Sequence, residues 1–274
     1  MSSERLKRIV MERHHLFSRF LGRNVFLDIF LPFNVDDPSK LDLLLINDGQ
    51  DLKTMGYAKI VDDLMNTDKI FPFVSVGIEA GKDRKNEYGT AGKTDFAGRG
   101  AKADAYKNFI LNELIPFIQA KYHIPKFRSM SFAGFSLGGL SALDISWSHP
   151  DLFSIVGVFS GSLWWRERDI DDDYDDALHR IMHQRIRNGL FSEGMRFFFQ
   201  AGQLDETADR NHNGIIDSID DTLDMIDELV KKGYDGNLDI VYLEYADGKH
   251  NVETWSRAMP EFLRFAFGNM STQL

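Results

Sequence analysis

The stretch SMSFAGFSLGGLSALDIS, residues 129–146, joins a β-rich run to a helix-compatible one through Gly134, Phe135, Ser136, Leu137 and Gly138. Glycines two residues to either side of a serine permit a tight, strained strand-to-helix turn, because a Cβ at either place would collide with the neighbouring chain. The spacing predicts a strand over 129–134, a helix over LGGLSALDISWSHP, and Ser136 presented above the carboxyl end of the strand. It also sets the N–H groups and positive dipole of the new helix, beginning at Leu137, beside that hydroxyl.

The same alternation extends in both directions. Ahead of the turn lie strand patterns NVFLDIFLP (24–32) and LDLLLIN (41–47), a helix over 57–67, a strand over 71–79 and a helix over 103–121 that Pro116 would kink. Beyond it come a strand in LFSIVGVFS, a helix over 176–187, a strand in MRFFFQAG, a helix over 218–232, a strand in LDIVYLEY and a helix over 252–267. This order predicts an α/β protein with a mostly parallel sheet and helices on both faces. The runs 24–32 and 41–47 have only FNVDDPSK between them, too short for a helix, and are expected to pair as an antiparallel hairpin. The stretch GKDRKNEYGTAGKTDFAGRGAK has no periodicity, and a loop of that length in an ordered domain is usually functional.

No composition break divides the 274 residues, so a single domain over 1–274 is expected. The absence of cysteine excludes disulfides, thiolate metal sites and a cysteine nucleophile. Thirty-two basic against 42 acidic side chains give a net charge of −10, which argues against nucleic acid or an anionic membrane as partner. A charged opening segment and the lack of any long apolar run predict a soluble, cytoplasmic protein.

A serine in such a turn needs a base and an acid, and in this architecture they follow it on the ends of later strands. MRFFFQAG runs into QLDE, which puts Asp205 on one such loop with Glu206 as the adjacent alternative; LDIVYLEY runs into ADGKHNVETW, which puts His250 on the next. The imidazole would carry the serine proton and the carboxylate would orient the imidazole. NDGQDL (47–52) supplies a second oxyanion donor beside the Leu137 N–H, read as the Gln50 backbone N–H with Asp51 one residue off. Trp164 and Trp165 offer an apolar wall, while Arg84, Glu87 and Tyr88 are candidates for polar substrate contacts, with structural ion pairing as the rival reading. His179 and His183 stand four apart, but HRIMH lacks the adjacent glutamate and a third ligand of a zinc site and reads as a solvated or partly packed pair. His14 and His15 read as edge-strand surface residues, and the acidic run 171–176 as a solvated helix start.

DRNHNGIIDSID (209–220) places Asp209, Asn211, Asn213, Gly214, Asp217 and Asp220 at positions 1, 3, 5, 6, 9 and 12 of an EF-hand-type loop, with Ile215 offering its carbonyl. Calcium is the expected cation and its role structural, pinning the loop that follows Asp205. An aspartate at the last position, in place of a bidentate glutamate, points to weaker binding. The rival is an Asx-rich turn and helix cap without metal.

GFSLGG, the DGQDL turn, DRKNEYG (83–89), FSGSLWW (159–165) and DGKHNVETW together resemble the bacterial putative esterase family, over about residues 15 to 267. That family includes enterochelin esterases, S-formylglutathione hydrolase-like enzymes, feruloyl esterase modules and mycolyltransferases. The resemblance implies an α/β-hydrolase fold and hydrolysis of a small-molecule carboxylic ester without a cofactor, with Ser136, Asp205 and His250 matching the family's triad. Acyl transfer on the same residues is the rival within enzymes. A calcium-dependent binding protein without turnover is the rival from another class, and it predicts no reaction with a fluorophosphonate probe.

Overall fold

A computed structural model describes residues 8–268 apart from 34, 36 and 172; residues 1–7 of the charged opening segment and Asp172 of the acidic run lie outside them. Eight strands, β1 (Ile9–Ser18), β2 (Arg23–Pro32), β3 (Asp42–Asn47), β4 (Phe73–Ile78), β5 (Met130–Phe135), β6 (Phe153–Phe159), β7 (Arg196–Leu204) and β8 (Ile240–Lys249), form one sheet. Their order is β1-β2-β4-β3-β5-β6-β7-β8. The pairs β1/β2 and β2/β4 are antiparallel and every later pair is parallel. This is an α/β-hydrolase fold.

The expected hairpin between 24–32 and 41–47 does not form. β2 pairs with β1 on one side and β4 on the other, while β3 lies between β4 and β5. All six residues of β3 are buried. A strand with no polar face must be covered on both sides, which draws it to the middle of the sheet, whereas the half-polar β1 can serve as the edge. β1 carries both His14 and His15.

Alternate residues of the central strands feed two separate cores. Leu43, Leu45, Phe197 and Phe199 face one, with Leu140 and Leu143 of the helix after β5 and Met225 and Leu229 of the helix before β8. Leu44, Ile46 and Phe198 face the other, with Val61, Trp255 and Phe262. The helices are α1 (Leu52–Met55), α2 (Tyr57–Asn66), α3 (Arg84–Glu87), α4 (Ala103–Phe109), α5 (Ile115–Lys121), α6 (Leu137–Ser148), α7 (Asp176–His179), α8 (Ile181–Asn188), α9 (Asp217–Lys232) and α10 (Val252–Phe267).

Two departures from the expected helices have local causes. The helical span 103–121 is continuous but contains a π turn over Ile110–Leu114 immediately ahead of α5. Pro116 has no N–H for the carbonyl four residues back, and the widened turn accommodates its ring. The expected helix 176–187 is split at Arg180, whose backbone is extended while its guanidinium reaches Asp221 and Asp224, both at 2.6 Å. His183 is fully buried behind that break, with Nε2 2.9 Å from the Asp221 carbonyl, and burial lowers its pKa to about 3. It is a neutral core residue. His179 accepts a hydrogen bond from the Asp175 N–H through Nδ1. Among the described residues no helix is long and apolar enough to cross a membrane.

Candidate active site

Ser136 follows directly on β5 and precedes α6 with φ 55° and ψ −123°, a backbone conformation that side-chain-bearing residues rarely adopt. A Cβ on Gly134 would overlap the Gly138 carbonyl, and one on Gly138 would stand 2.5 Å from Asp48 Oδ2. Both glycines are therefore required by packing, as the motif predicts. The Ser136 hydroxyl lies 3.3 Å from the Ser162 hydroxyl, at the mouth of a cavity of about 250 Å³ lined by Ser136, Ser162, Trp164, Asp205, Glu206 and His250 among others.

Asp205 follows β7 and His250 follows β8. The two strand ends approach closely at paired glycines: a Cβ on Gly202 would stand 2.5 Å from the Gly248 carbonyl oxygen and 2.9 Å from Asp205 Oδ1. The Gly202 N–H donates to Asp205 Oδ2 at 3.0 Å, while Oδ1 has no hydrogen-bond partner among the described residues. His250 packs edge-on against Trp255, whose indole N–H donates to Ser160 Oγ at 3.0 Å. Burial lowers the pKa of His250, Asp205 opposes that shift, and the positive charge of Arg84 adds to it. Ser136, Asp205 and His250 thus share one cavity, but no hydrogen bond joins them here. Such bonds are often open in the unliganded site and tighten around substrate.

Glu206 lines the same cavity and also neighbours the start of α9, with its Oε1 lacking a hydrogen-bond partner among the described residues. Burial and the nearby Asp217 and Asp221 raise its pKa, and a hydrogen bond from the Ser218 N–H opposes them.

The turn carrying Gln50 begins at Asp48, a non-glycine with φ 59°. A Cβ on Gly49 would stand 2.5 Å from the Ile78 N, so the turn is pressed against the end of β4. The Gln50 side chain is used internally: its amide donates to Asp48 Oδ1 at 3.2 Å and its carbonyl accepts the Ala80 N–H at 3.0 Å.

The expected polar substrate contacts are placed differently. Glu87 is 2% exposed and forms a bidentate pair with Arg23, at 2.7 and 2.5 Å. Tyr88 is fully buried, with its hydroxyl accepting the Asp48 N–H at 3.2 Å. Arg84 forks onto Asp48 through Nε at 2.6 Å and Nη2 at 2.7 Å. Glu87, Tyr88 and Arg84 thus stand behind the Gln50 turn, each paired within the protein. Trp164 lines the cavity, but Trp165 is fully buried under Gly89 and Gly100. Ser162, Asp48 and Asn47 had no signal strong enough to single them out: two belong to ordinary turn residues and the third is read as a strand end.

In the loop 209–220, Asp209 accepts the N–H groups of Asn213 and Gly214 at 3.2 and 3.0 Å, and Asn213 Oδ1 accepts that of Ile215 at 2.7 Å. The side-chain amides of Asn211 and Asn213 each reach Asp220 Oδ2 at 2.8 Å. Asn211 and Asn213 therefore converge on Asp220, while Asp209 is bonded to the backbone of the same turn. Asp217 does not join them, because it pairs with the Arg210 backbone N–H at 2.8 Å and guanidinium at 3.3 Å. Among the described residues no three His, Asp or Glu side chains are gathered to hold a metal ion.

Comparison with known proteins agrees with this fold. The uncharacterized protein YjcH of Bacillus subtilis (strain 168) is 25% identical over 182 residues, 64% of this chain and 72% of that protein. The iron(III) salmochelin esterase of Escherichia coli O6:H1 is 29% identical over 148 residues, 53% of this chain but 34% of that protein. Among solved structures, the enterobactin esterase FES of Shigella flexneri superposes with a TM-score of 0.72 at 20% identity, over 95% of this chain and 59% of that one. The IroE-like serine hydrolase of Shewanella oneidensis superposes with a TM-score of 0.71 at 20% identity, over 94% and 80%. The chain thus spans about a third of the salmochelin esterase and about three fifths of the enterobactin esterase. The model of the family described as Putative esterase matches residues 18–266, nearly the whole described chain, and the protein belongs to that family.

Proposed function

We propose that the protein hydrolyses small carboxylic esters through an acyl-enzyme on Ser136. His250 takes the serine proton as the hydroxyl attacks the carbonyl carbon, then returns it to the departing alcohol oxygen. Asp205 holds the imidazole in orientation, and the backbone N–H groups of Leu137 and Gln50 receive the negative charge that develops on the carbonyl oxygen. Water activated by His250 then attacks the acyl carbon, Ser136 leaves with the proton, and the free acid departs. The observation that carries this reading is the strained Ser136 at the head of a helix, in one cavity with a histidine and a carboxylate. The esterase names borne by relatives and neighbours support it.

A cavity of about 250 Å³, below the size of most drug-sized pockets, suits a short acyl group or a single ring against Trp164. Across p-nitrophenyl esters from acetate to dodecanoate, kcat/KM is expected to peak at the short end. A folded protein that turns over none of them and takes up no fluorophosphonate would overturn the reading.

We further propose for the loop 209–220 a structural calcium ion held by Asp209, Asn211, Asn213 and Asp220, which the hydrogen bonds of the loop bring near one another. Oxygen donors and Asx turns suit a hard cation, and two carboxylates place affinity at the weak end, on the order of 10⁻⁴–10⁻³ M. Serine-based acyl transfer does not require the ion; it would steady the segment after Asp205. Millimolar calcium is expected to raise Tm by a few degrees over a chelator control, and Asp220→Ala to abolish the rise. Equal melting points with and without calcium would dispose of the ion.

A further inference from the structure

We infer that Arg84 is a positioning residue that holds the two oxyanion donors in register, a role that rests on the esterase reading above. Two observations converge on it. Its guanidinium forks onto both oxygens of Asp48, the residue that opens the Gln50 turn, through Nε at 2.6 Å and Nη2 at 2.7 Å. The same Nη2 donates to the Phe135 carbonyl at 3.3 Å, immediately before Ser136. One planar group thereby spans the two chain segments that must present N–H groups to one oxygen atom, Gln50 from the first and Leu137 from the second.

The surroundings leave that register little freedom. Asp48 Oδ2 lies against the Gly138 Cα, where a Cβ would approach to 2.5 Å, and Asn47 Nδ2 donates to the Gly138 carbonyl at 2.7 Å. The Tyr106 hydroxyl donates to Asn47 Oδ1 at 2.5 Å, and Tyr88 both accepts the Asp48 N–H and lies under the Arg84 guanidinium, 5.1 Å from its carbon. A buried Asp48 in the strained φ > 0 conformation persists only if its surroundings over-determine it. Arg84 supplies the charge and the planar fork for that purpose, and a lysine at this place could not make both bonds.

Arg84 also faces His250, as Asp205 does from the β7–α9 loop and the Trp255 ring does from α10. Its positive charge disfavours imidazolium, so the base stays neutral to lower pH. The clamp and the charge are separable by substitution. Arg84→Lys retains the charge and loses the fork; Arg84→Met loses both.

The test measures kcat, KM and the pH dependence of kcat/KM on p-nitrophenyl acetate for wild type, Arg84→Lys, Arg84→Met and Asp48→Asn, with folded fraction from near-ultraviolet circular dichroism. For Arg84→Lys, kcat per folded molecule is expected to fall about a hundredfold, the scale of losing one oxyanion donor, with KM within about threefold and the acid limb unmoved. Arg84→Met is expected to lose as much in kcat and to shift the acid limb to higher pH. Asp48→Asn is expected to follow Arg84→Lys in kcat. A rise in KM at constant kcat would mean that Arg84 binds substrate, and a loss in kcat that only tracks the folded fraction would mean that it is scaffold alone; either overturns the inference. A folded wild type that neither labels with fluorophosphonate nor turns over overturns the esterase reading and this one with it. An active, labelled wild type with unchanged variants overturns this one alone.

Discussion

Ser136→Ala is expected to lower kcat/KM for short p-nitrophenyl esters by at least about 10⁴-fold and to abolish fluorophosphonate labelling, while leaving Tm nearly unchanged. The separation of the two effects follows from the turn. Alanine keeps the Cβ, so the φ 55° backbone carries the same strain in both proteins. What is removed is one oxygen whose nearest polar partner is the Ser162 hydroxyl at 3.3 Å, too long to contribute much to stability. Activity, by contrast, loses the oxygen on which the proposed acyl-enzyme is built. Residual hydrolysis at wild-type rate would remove Ser136 from the chemistry.

The second large effect separates two adjacent carboxylates. Asp205→Asn is expected to cost about 10⁴-fold in kcat, the scale seen when the group orienting a catalytic histidine loses its charge. Glu206→Gln is expected to cost less than about tenfold. Asp205 is anchored through Oδ2 by the Gly202 N–H and draws the His250 pKa upward. Glu206 lines the same cavity but is acted on by the Ser218 backbone, Asp217 and Asp221, and the carboxylate charge that acts on His250 is that of Asp205. The activity that remains in Asp205→Asn is expected to persist to lower pH than in wild type, because burial and Arg84 then act on His250 unopposed. The sign is opposite to that for Arg84→Met. A reversed order of losses would transfer the acid role to Glu206.

Much of this arrangement was legible in the chain because it depends on local geometry. The G-x-S-x-G turn is set by contacts between residues four apart, Gly134 against Gly138, and those are visible in a pentapeptide. The loops that carry Asp205 and His250 follow from strand periodicity together with the order in which base and acid follow such a serine, since residues past a parallel strand emerge at the sheet's carboxyl edge. The loop 209–220 forms Asx turns, the feature on which its metal-free reading rested. The failures are all of a different kind. Nothing in 24–32 or 41–47 tells which strands will flank them, and loop length favoured a hairpin that the burial of β3 on both faces overruled. Adjacent tryptophans point to opposite environments, Trp164 into the cavity and Trp165 into the core.

By itself, then, the sequence determined the alternation of strands and helices, the strained serine turn and the two strand-end loops that face it, because each is decided by a backbone preference or a period of two or 3.6 residues. The tertiary structure alone decided which charges are spent inside the protein. Arg84 meets Asp48 across 36 residues, Arg23 meets Glu87 across 64, and Arg210 meets Asp176 across 34. A guanidinium is compatible with substrate, solvent or a buried carboxylate as partner, and burial makes the choice, since a desolvated charge must be paired wherever the chain's folding happens to bring it.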